Sequence, residues 1–384
     1  MMMEDFSKEE LARYARHFVL PEFGIEGQKK LKKSSVLVVG AGGLGCPLLL
    51  YLAAAGVGRI GIIDADKVDD SNLQRQVLYT TQDVGEYKAE AAKKRLLALN
   101  PHIQIETYPF AFTSDNALKI IDFYDVVADG TDNFPTRYLV NDAAVLRGKV
   151  NVYASIFRFE GQVSVFNLTD KNGERGVQYR DLFPTPPPPG LVPDCAEGGV
   201  LGVLPGIIGS MQASEVIKIL SGVGEPLAGR LFIFDAASFT TRVLKVSKNP
   251  HLQIPTALID YDIFCGIHSP SSTHENDISV QELKKMMDNH TDFQLVDVRE
   301  EYEYAASNLG GILIPLSILK KNADLEDILK KISKDKTVIL HCKSGARSRE
   351  AMDILNKNGF SDLKNLTGGI LAFSKEIDKS LVVI

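Results

Sequence analysis

The stretch Val36-Leu-Val-Val-Gly40-Ala-Gly42-Gly43-Leu-Gly45 constrains this chain more than any other. Four apolar residues suited to a buried strand run straight into Gly40-x-Gly42-x-x-Gly45, and Pro47 onward reads as the start of a helix. That order is the order of a nucleotide-binding unit. Gly40 permits the tight turn, Gly42 lets backbone N–H groups approach a phosphate, Gly45 lets helix and strand pack closely, and the helix N-terminus supplies partial positive charge. The glycines alone fit dehydrogenases, flavoproteins and adenylating enzymes equally, so residues farther along the chain must discriminate.

Composition sets the outer bounds. With 384 residues, 45% of them apolar and 24% charged, the chain reads as a soluble globular protein of two or three domains. A net charge of −6, with no long run of Lys and Arg, argues against a nucleic-acid surface and leaves small molecules or proteins as partners. The acidic N-terminus lacks an apolar signal core and no segment reaches about 18 uninterrupted apolar residues, so a cytoplasmic location and no membrane contact are expected. Cys46, Cys195, Cys265 and Cys342 lie far apart with no C-x-x-C pair, which encodes neither a disulfide framework nor an all-Cys zinc site.

Ahead of the glycine turn, Glu9 to Phe18 reads as a short amphipathic helix with Arg13 and Arg16 on one face. Beyond the turn, Gly58-Arg-Ile-Gly-Ile-Ile-Asp64-Ala-Asp66 predicts a second strand ending in carboxylates, at a spacing that suits a ribose hydroxyl. A polar loop, Ser71-Asn72-Leu73-Gln74-Arg75-Gln76, comes next, and Lys88 opens the next helix. A dehydrogenase that holds pyrophosphate through backbone amides has little need of Asn72, Arg75 and Lys88 here. An enzyme handling a triphosphate needs fixed cations and donors where charge develops as pyrophosphate leaves. A fourth strand, Tyr124–Asp129, leads into Gly-Thr131-Asp132-Asn133, and Asp132 at a strand's carboxyl end is placed to hold Mg²⁺.

Taken together, Gly40–Gly45, Ser71–Gln76, Lys88 and Thr131–Asn133 resemble the adenylating enzymes of the MoeB/ThiF family, related to ubiquitin-activating enzymes. The resemblance covers about residues 5–250 and implies an α/β, Rossmann-like domain with a mostly parallel sheet. It implies that Asp64, with Asp66 nearby, holds the ATP ribose, that the Ser71–Arg75 loop and Lys88 hold the phosphates, and that Asp132 beside Asn133 binds magnesium. Arg16 matches an arginine that reaches a partner subunit's ATP, which implies a homodimer. Cys195, after a proline-rich stretch at 184–193, matches a cysteine able to bond covalently with the carrier protein; a buried structural thiol is the alternative. Relatives usually carry two C-x-x-C pairs for structural zinc, whereas here those places read Gln178-Tyr-Arg-Asp181 and Asn249-Pro-His251-Leu-Gln-Ile-Pro255. Tetrahedral zinc needs about four ligands and His251 is one, so no zinc is expected.

Residues 251–275 read as a linker and 276–384 as a smaller α/β domain. Ser279 and Glu282 stand in capping-box spacing, Phe293–Arg299 predicts a strand, and Lys336–His341 predicts another that breaks into Cys342-Lys343-Ser344-Gly345-Ala346-Arg347. A thiol at the rim of a loop, before a helix N-terminus and beside Lys343 and Arg347, should have its thiolate stabilised. With Asp297-Val-Arg299-Glu and Gly310-Gly-Ile-Leu-Ile-Pro315, this segment resembles a rhodanese domain, although Asn308 stands where a histidine is usual. A phosphatase and an inert cysteine are the competing readings.

The combination implies ATP-dependent adenylation of the C-terminal glycine of a ubiquitin-like sulfur-carrier protein, followed by sulfur transfer from a Cys342 persulfide to give a thiocarboxylate. Arg75, Lys88, Asp132, Cys195 and Cys342 are the expected catalytic residues, and a cysteine desulfurase or thiosulfate the expected sulfur donor. The pathway, in molybdopterin, thiamin or related thiolation, stays open. A non-catalytic carrier-binding scaffold and a nicotinamide oxidoreductase are the rivals. The second leaves the phosphate cluster and the cysteine loop without purpose.

Overall fold

The computed structural model describes residues 5–187, 199–266, 276–321 and 325–383. The chain divides into two compact units, Met1–Ile267 and His268–Ile384.

The first unit is built on β1 (Ser35–Val39), β2 (Arg59–Ile63), β3 (Gln104–Tyr108), β4 (Val126–Asp129), β5 (Val150–Phe157), β6 (Glu160–Phe166), β7 (Arg230–Asp235) and β8 (Thr240–Lys245). These form one sheet in the order β3-β2-β1-β4-β5-β6-β7-β8. The run from β3 to β5 is parallel, and β6, β7 and β8 continue it antiparallel. Helices cover both faces. Val36 and Val38 of β1 pack into one core with Leu48 and Leu52 of helix Gly45–Ala55 and Ala89 and Ala92 of helix Lys88–Leu99. Leu37 and Val39 pack into the other with Ala117 and Ile121 of helix Ala117–Ile121 and Tyr138 and Val140 of helix Phe134–Arg147. A strand buried on both faces needs an unbroken apolar run, which is why the segment before Gly40 shows no alternation.

Strand β1 is flanked by β2 and β4, so successive crossovers leave it in opposite directions. That switch point opens a crevice at the strands' carboxyl ends. Helix Leu204–Ser221 joins helix Gly45–Ala55, and a β-carbon on Gly209 would lie 2.4 Å from the Leu44 carbonyl oxygen.

Two expectations change. The amphipathic segment at 9–18 is two helices, Lys8–Arg13 and Ala15–Phe18, broken at Tyr14. Its break lets the buried Tyr14 hydroxyl accept from Asn100 Nδ2 at 2.8 Å, while Arg13 Nη1 donates to the Leu99 carbonyl at 2.7 Å. Second, residues 251–266 fold onto the first unit instead of linking. Tyr261 and Cys265 are buried there, with Leu258 and Phe264 packed beside them. Residues 267–275, also read as linker, lie outside the described residues.

That packing surrounds a buried carboxylate. Asp142 accepts from Arg180 Nε at 2.8 Å and Nη2 at 2.7 Å, from the Tyr261 hydroxyl at 2.8 Å and from Asn141 Nδ2 at 2.9 Å. The Arg180 guanidinium stacks over the rings of Tyr138 and Phe264 at 4.8 and 4.7 Å. Next to it, Asp181 accepts from the backbone N–H of Gln178 at 2.7 Å and of Asn249 at 2.8 Å, tying together the two segments where the resemblance places cysteine pairs. Among the described residues, no group of three or more His, Cys, Asp or Glu side chains converges as metal ligands.

The second unit carries β9 (Asp277–Ile278), β10 (Gln294–Asp297), β11 (Ile312–Leu313), β12 (Val338–His341) and β13 (Leu363–Leu366), all parallel, in the order β11-β10-β12-β13-β9. Helix Val280–Asp288 begins at the expected capping box, with Ser279 Oγ accepting from Glu282 N at 3.2 Å and Glu282 Oε2 accepting from Ser279 N at 2.9 Å.

Removing one partner of a buried, hydrogen-bonded ion pair strands the other charge. Asp142→Ala is therefore expected to destabilise the first unit by about 3 kcal/mol, read as a lowered urea midpoint, with Tyr261→Phe costing about 1 kcal/mol.

Candidate functional site

The first site starts from backbone crowding. Gly40 has φ +92°, and a β-carbon on it would lie 2.9 Å from the Gly130 carbonyl oxygen; one on Gly45 would lie 2.1 Å from the Gly40 carbonyl oxygen. The turns after β1 and β4 are thus pressed together, and the loop carrying Asp132 leaves β4 beside the glycine turn. Gly42 differs. Among the described residues a β-carbon there would meet only Gln76 Nε2, at an ordinary 3.7 Å, so none of them requires a glycine at this position. Gln76 is buried, donates through Nε2 to Asn72 Oδ1 at 3.1 Å, and has no partner for Oε1 among the described residues.

Arg75 lies against the same turn: its Cγ is 3.7 Å from where a Gly43 β-carbon would sit, and its Nη1 donates to the Ser71 carbonyl at 3.3 Å. Asn72 Nδ2 donates to Ser71 Oγ at 3.2 Å, and Ser71 is fixed in turn by Asp69. The half-buried Leu73 packs on the first core, while the exposed Gln74 has both its backbone and side-chain oxygens against Gly202. Asp64 caps β2 and accepts from the N–H of Ala41 at 2.7 Å and of Asp66 at 2.8 Å. Burial pushes its carboxyl up, opposed first by the nearby Lys88 ammonium and then by those backbone bonds. Lys88 is nearly buried at the start of its helix and its ammonium holds Asp66 Oδ2 at 2.9 Å. Glycine turn, Asp64, Asp66, Asn72, Arg75 and Lys88 therefore converge on the carboxyl ends of β1 and β2.

Asp132 and Asn133 are exposed after β4, and Asn133 caps helix Phe134–Arg147 by accepting from Thr136 N at 2.9 Å. Beneath them lies a cluster that sequence reasoning missed. Asp129, fully buried, accepts from the N–H and hydroxyl of Thr131, and its other oxygen sits 3.9 Å from Arg137 Nε. Gln212 Nε2 binds the Asp129 and Val152 carbonyls, both at 2.8 Å. The strand-end acid Asp129 is visible in the sequence, but its partners come from distant helices. Arg16 is exposed on its short helix, apart from the convergent group. Cys195 and the end of the proline run lie outside the described residues. Cys46 is buried beneath the turn, and burial pushes its thiol up to about 12; burial likewise pushes the thiol of Cys265 up to about 11, which disfavours the thiolate at both.

The second site is the loop after β12. Cys342 is not at the rim as expected: it has no exposed surface and packs on the unit's core. The chain closes over it because Gly345 (φ +103°) turns the loop inward, while the N–H groups of Ile370 and Leu371 bind the carbonyls of Cys342 at 2.9 Å and Lys343 at 3.0 Å. Gly345 N–H reaches Cys342 Sγ at 3.1 Å. Lys343 is half-buried, and Ser344 and Ala346 are exposed. The following helix is Ala346–Lys357, and Arg347 lies in its first turn. There its guanidinium makes two 2.7 Å bonds to Glu303. Burial pushes the Glu303 carboxyl up, but Arg347, the Glu300 N–H and Arg299 together more than offset this and hold it below its ordinary value. Glu303, absent from the expected site, neutralises the cation expected to face the sulfur. Asn308, in the usual histidine position, accepts from Gly310 N at 3.0 Å and shapes the turn before β11.

Under the loop, Asp297 and Arg299 form a fully buried ion pair at 2.7 Å, and His341 sits 3.7 Å from Asp297 with no hydrogen-bond partner at either ring nitrogen among the described residues.

These two sites define the class. The ThiF family model matches residues 14–255 and the rhodanese-like domain model residues 279–376, and the chain belongs to the ThiF family with a C-terminal rhodanese-like domain. It is 46% identical over 381 residues, 98% of this chain and 96% of the relative, to a probable adenylyltransferase/sulfurtransferase MoeZ of Mycobacterium tuberculosis. It is 57% identical over 268 residues, 68% of this chain and 99% of the relative, to a sulfur carrier protein adenylyltransferase of Thermus thermophilus. The crystal structure of Escherichia coli MccB is similar in fold at a TM-score of 0.56 and 21% identity, over 66% of this chain and 74% of that one.

The buried His341 makes a pH prediction. Burial lowers its imidazole to about 4, from about 6.5 when unfolded. The folded second unit excludes a proton that the unfolded chain binds, so this stability is complete above pH 6.5 and is lost as pH falls toward 4. The loss is about 3 kcal/mol. Calorimetry of the full chain should show the second unit's melting temperature falling over that window, with His341→Leu flattening the slope.

Proposed function

We propose that the chain activates the C-terminal glycine of a ubiquitin-like sulfur-carrier protein with ATP and then delivers sulfur to it, as the names of its relatives suggest for both halves. The observation that carries the reading is the convergence of Arg75, Lys88 and Asp64 on a glycine turn whose Gly42 no atom of the described residues requires. The open face of Gly42 and the partnerless Gln76 Oε1 suit a nucleotide there. In this reading Asp64 and Asp66 face the ribose, Asn72, Arg75 and Lys88 hold the phosphates, and Arg16 serves the partner's site in a homodimer. Lys88 exchanges its bond to Asp66 for a phosphate oxygen. The exposed Asp132 would hold Mg²⁺, a hard cation commonly bound by one or two carboxylates plus substrate phosphates, which supplies charge neutralisation at those phosphates.

The carrier's terminal carboxylate, already ionised, attacks the α-phosphate and pyrophosphate leaves, giving the acyl-adenylate. Fixed cations stabilise the charge that develops, and no general base is needed. In the second half, Cys342 carries a sulfane sulfur as a persulfide taken from a cysteine desulfurase or thiosulfate. Its terminal sulfur attacks the adenylate and expels AMP. A second thiol, Cys195 in this reading, then attacks the Cys342 sulfur, releasing the carrier thiocarboxylate and leaving a Cys195–Cys342 disulfide for a cellular reductant.

Carrier-dependent exchange of pyrophosphate into ATP tests the division of labour. The wild type should exchange, Asp132→Ala should fall by about a hundredfold, and Cys342→Ala should exchange normally while forming no thiocarboxylate. We also propose that the Asp142–Arg180 and Asp181–Asn249 contacts do the work of a metal staple, with no structural zinc. Dialysis against EDTA should leave the melting temperature unchanged, and elemental analysis should find less than one tenth of an equivalent of zinc.

A further inference from the structure

We propose that Asn365 and Ser348 are positioning residues for the Cys342 sulfur, with Asn365 holding the Ser348 proton away from it so that Ser348 faces the sulfur as an acceptor. The proposal rests on Cys342 being the sulfur-bearing thiol, and it adds what keeps that thiol at rest.

Ser348 has one hydroxyl proton and three acceptors in reach: Asn365 Oδ1 at 2.6 Å, the Gly345 carbonyl at 3.1 Å and Cys342 Sγ at 3.6 Å. The first distance is that of a full-strength O–H···O bond, and sulfur is a weak acceptor. The proton therefore belongs to Asn365. Which end of an amide faces a neighbour is settled by the wider network. Here Asn365 Nδ2 donates to Asp277 Oδ1 at 3.3 Å, and Asp277 is held by Arg349 Nη2 at 2.8 and 3.1 Å. A carboxylate paired with arginine is ionised and only accepts, so the amide nitrogen faces Asp277 and the amide oxygen is left for Ser348.

Four elements meet in this chain: Asp277 opens β9, Asn365 lies in β13, Cys342 follows β12, and Ser348 and Arg349 lie in helix Ala346–Lys357. Ser348, Asn365 and Cys342 are all buried, so water does not compete for these bonds. With its proton committed, Ser348 Oγ turns lone pairs toward Sγ and can accept from the S–H, while Gly345 N–H approaches the sulfur from the loop. Ser348 thus presents the sulfur with a lone pair and no proton, and its hydroxyl must turn away from Asn365 before it can donate to the sulfur.

The test is the rate at which iodoacetamide alkylates Cys342 in the full chain at pH 7, followed on the Cys342 peptide by mass spectrometry. Asn365→Ala frees the Ser348 proton to turn to the sulfur and is expected to raise the rate about fivefold, the scale of one neutral hydrogen bond. Ser348→Thr keeps the hydroxyl and should match the wild type. The deciding measurement is the double variant: Ser348→Ala with Asn365→Ala should react like Ser348→Ala alone. A loop merely loosened by the loss of Asn365 would accelerate equally in both backgrounds, and that result, or no acceleration by Asn365→Ala, overturns the proposal. If Asn365→Ala fails to fold, Asp277→Asn, which removes the charge that orients the amide, should accelerate alkylation in the same direction, and no change there overturns it too. Thiocarboxylate formation is scored separately. Activity surviving in Cys342→Ala would end the sulfur-transfer reading without touching the alkylation result.

Discussion

Everything in the first unit depends on how closely the backbone turns at the ends of β1 and β4 approach each other. The Gly130 carbonyl fills the space a side chain on Gly40 would need, and the Gly40 carbonyl fills that of Gly45. With both contacts made, the helix N-terminus stands directly over the strand end, and the loops after β1, β2 and β4 open into one crevice. A single β-carbon at either glycine would separate the turns and with them Asp64 from Asp132. The crowding is a property of the backbone, so the surrounding side chains can vary widely while the crevice keeps its shape.

The second unit solves a related problem in reverse. Its parallel sheet also directs a loop from a strand's carboxyl end, but this loop folds over its own cysteine. Buried charge supports it from below, through the Asp297–Arg299 pair with the uncharged His341 beside it, and from the side, through Glu303 and Arg347. Dipoles and polar groups at close range, Gly345 N–H and Ser348 Oγ, surround the sulfur. Such short-range, uncharged contacts are shielded from solvent and salt, whereas a bare cation at the rim would be screened by both.

Much of this was legible in the sequence because it is local. Strand β1, the glycine turn, the acids after β2 and β4, the capping box at Ser279 and the Cys342 loop all sit within a few residues of the signal that marks them. What escaped was contributed from afar. Gln76 faces Gly42 across the crevice, Arg180 finds Asp142 in another helix, and Asn365 meets Ser348 from a neighbouring strand. Their spacings in the chain carry no period, and only the folded topology pairs them. The depth of Cys342 was misjudged for the same reason, since the backbone that covers it comes from Gly368–Leu371, past the next helix and strand. Likewise 251–266 looked like linker because its anchors, Tyr261 and Cys265, are single residues among polar ones.

The bonds around Asp142 and Asp181 carry a last implication. The hydrogen bonds at Asp142 and Asp181 are made by carboxylate, guanidinium, amide and phenol groups, and none of these is readily oxidised or captured by sulfide. A cross-link built from thiolates would share a compartment with persulfides and the electrophiles they generate, and would be a target for the very species the neighbouring unit is proposed to handle. Charge and hydrogen bonds at Asp142 and Asp181 fasten these segments without adding a thiolate to those contacts.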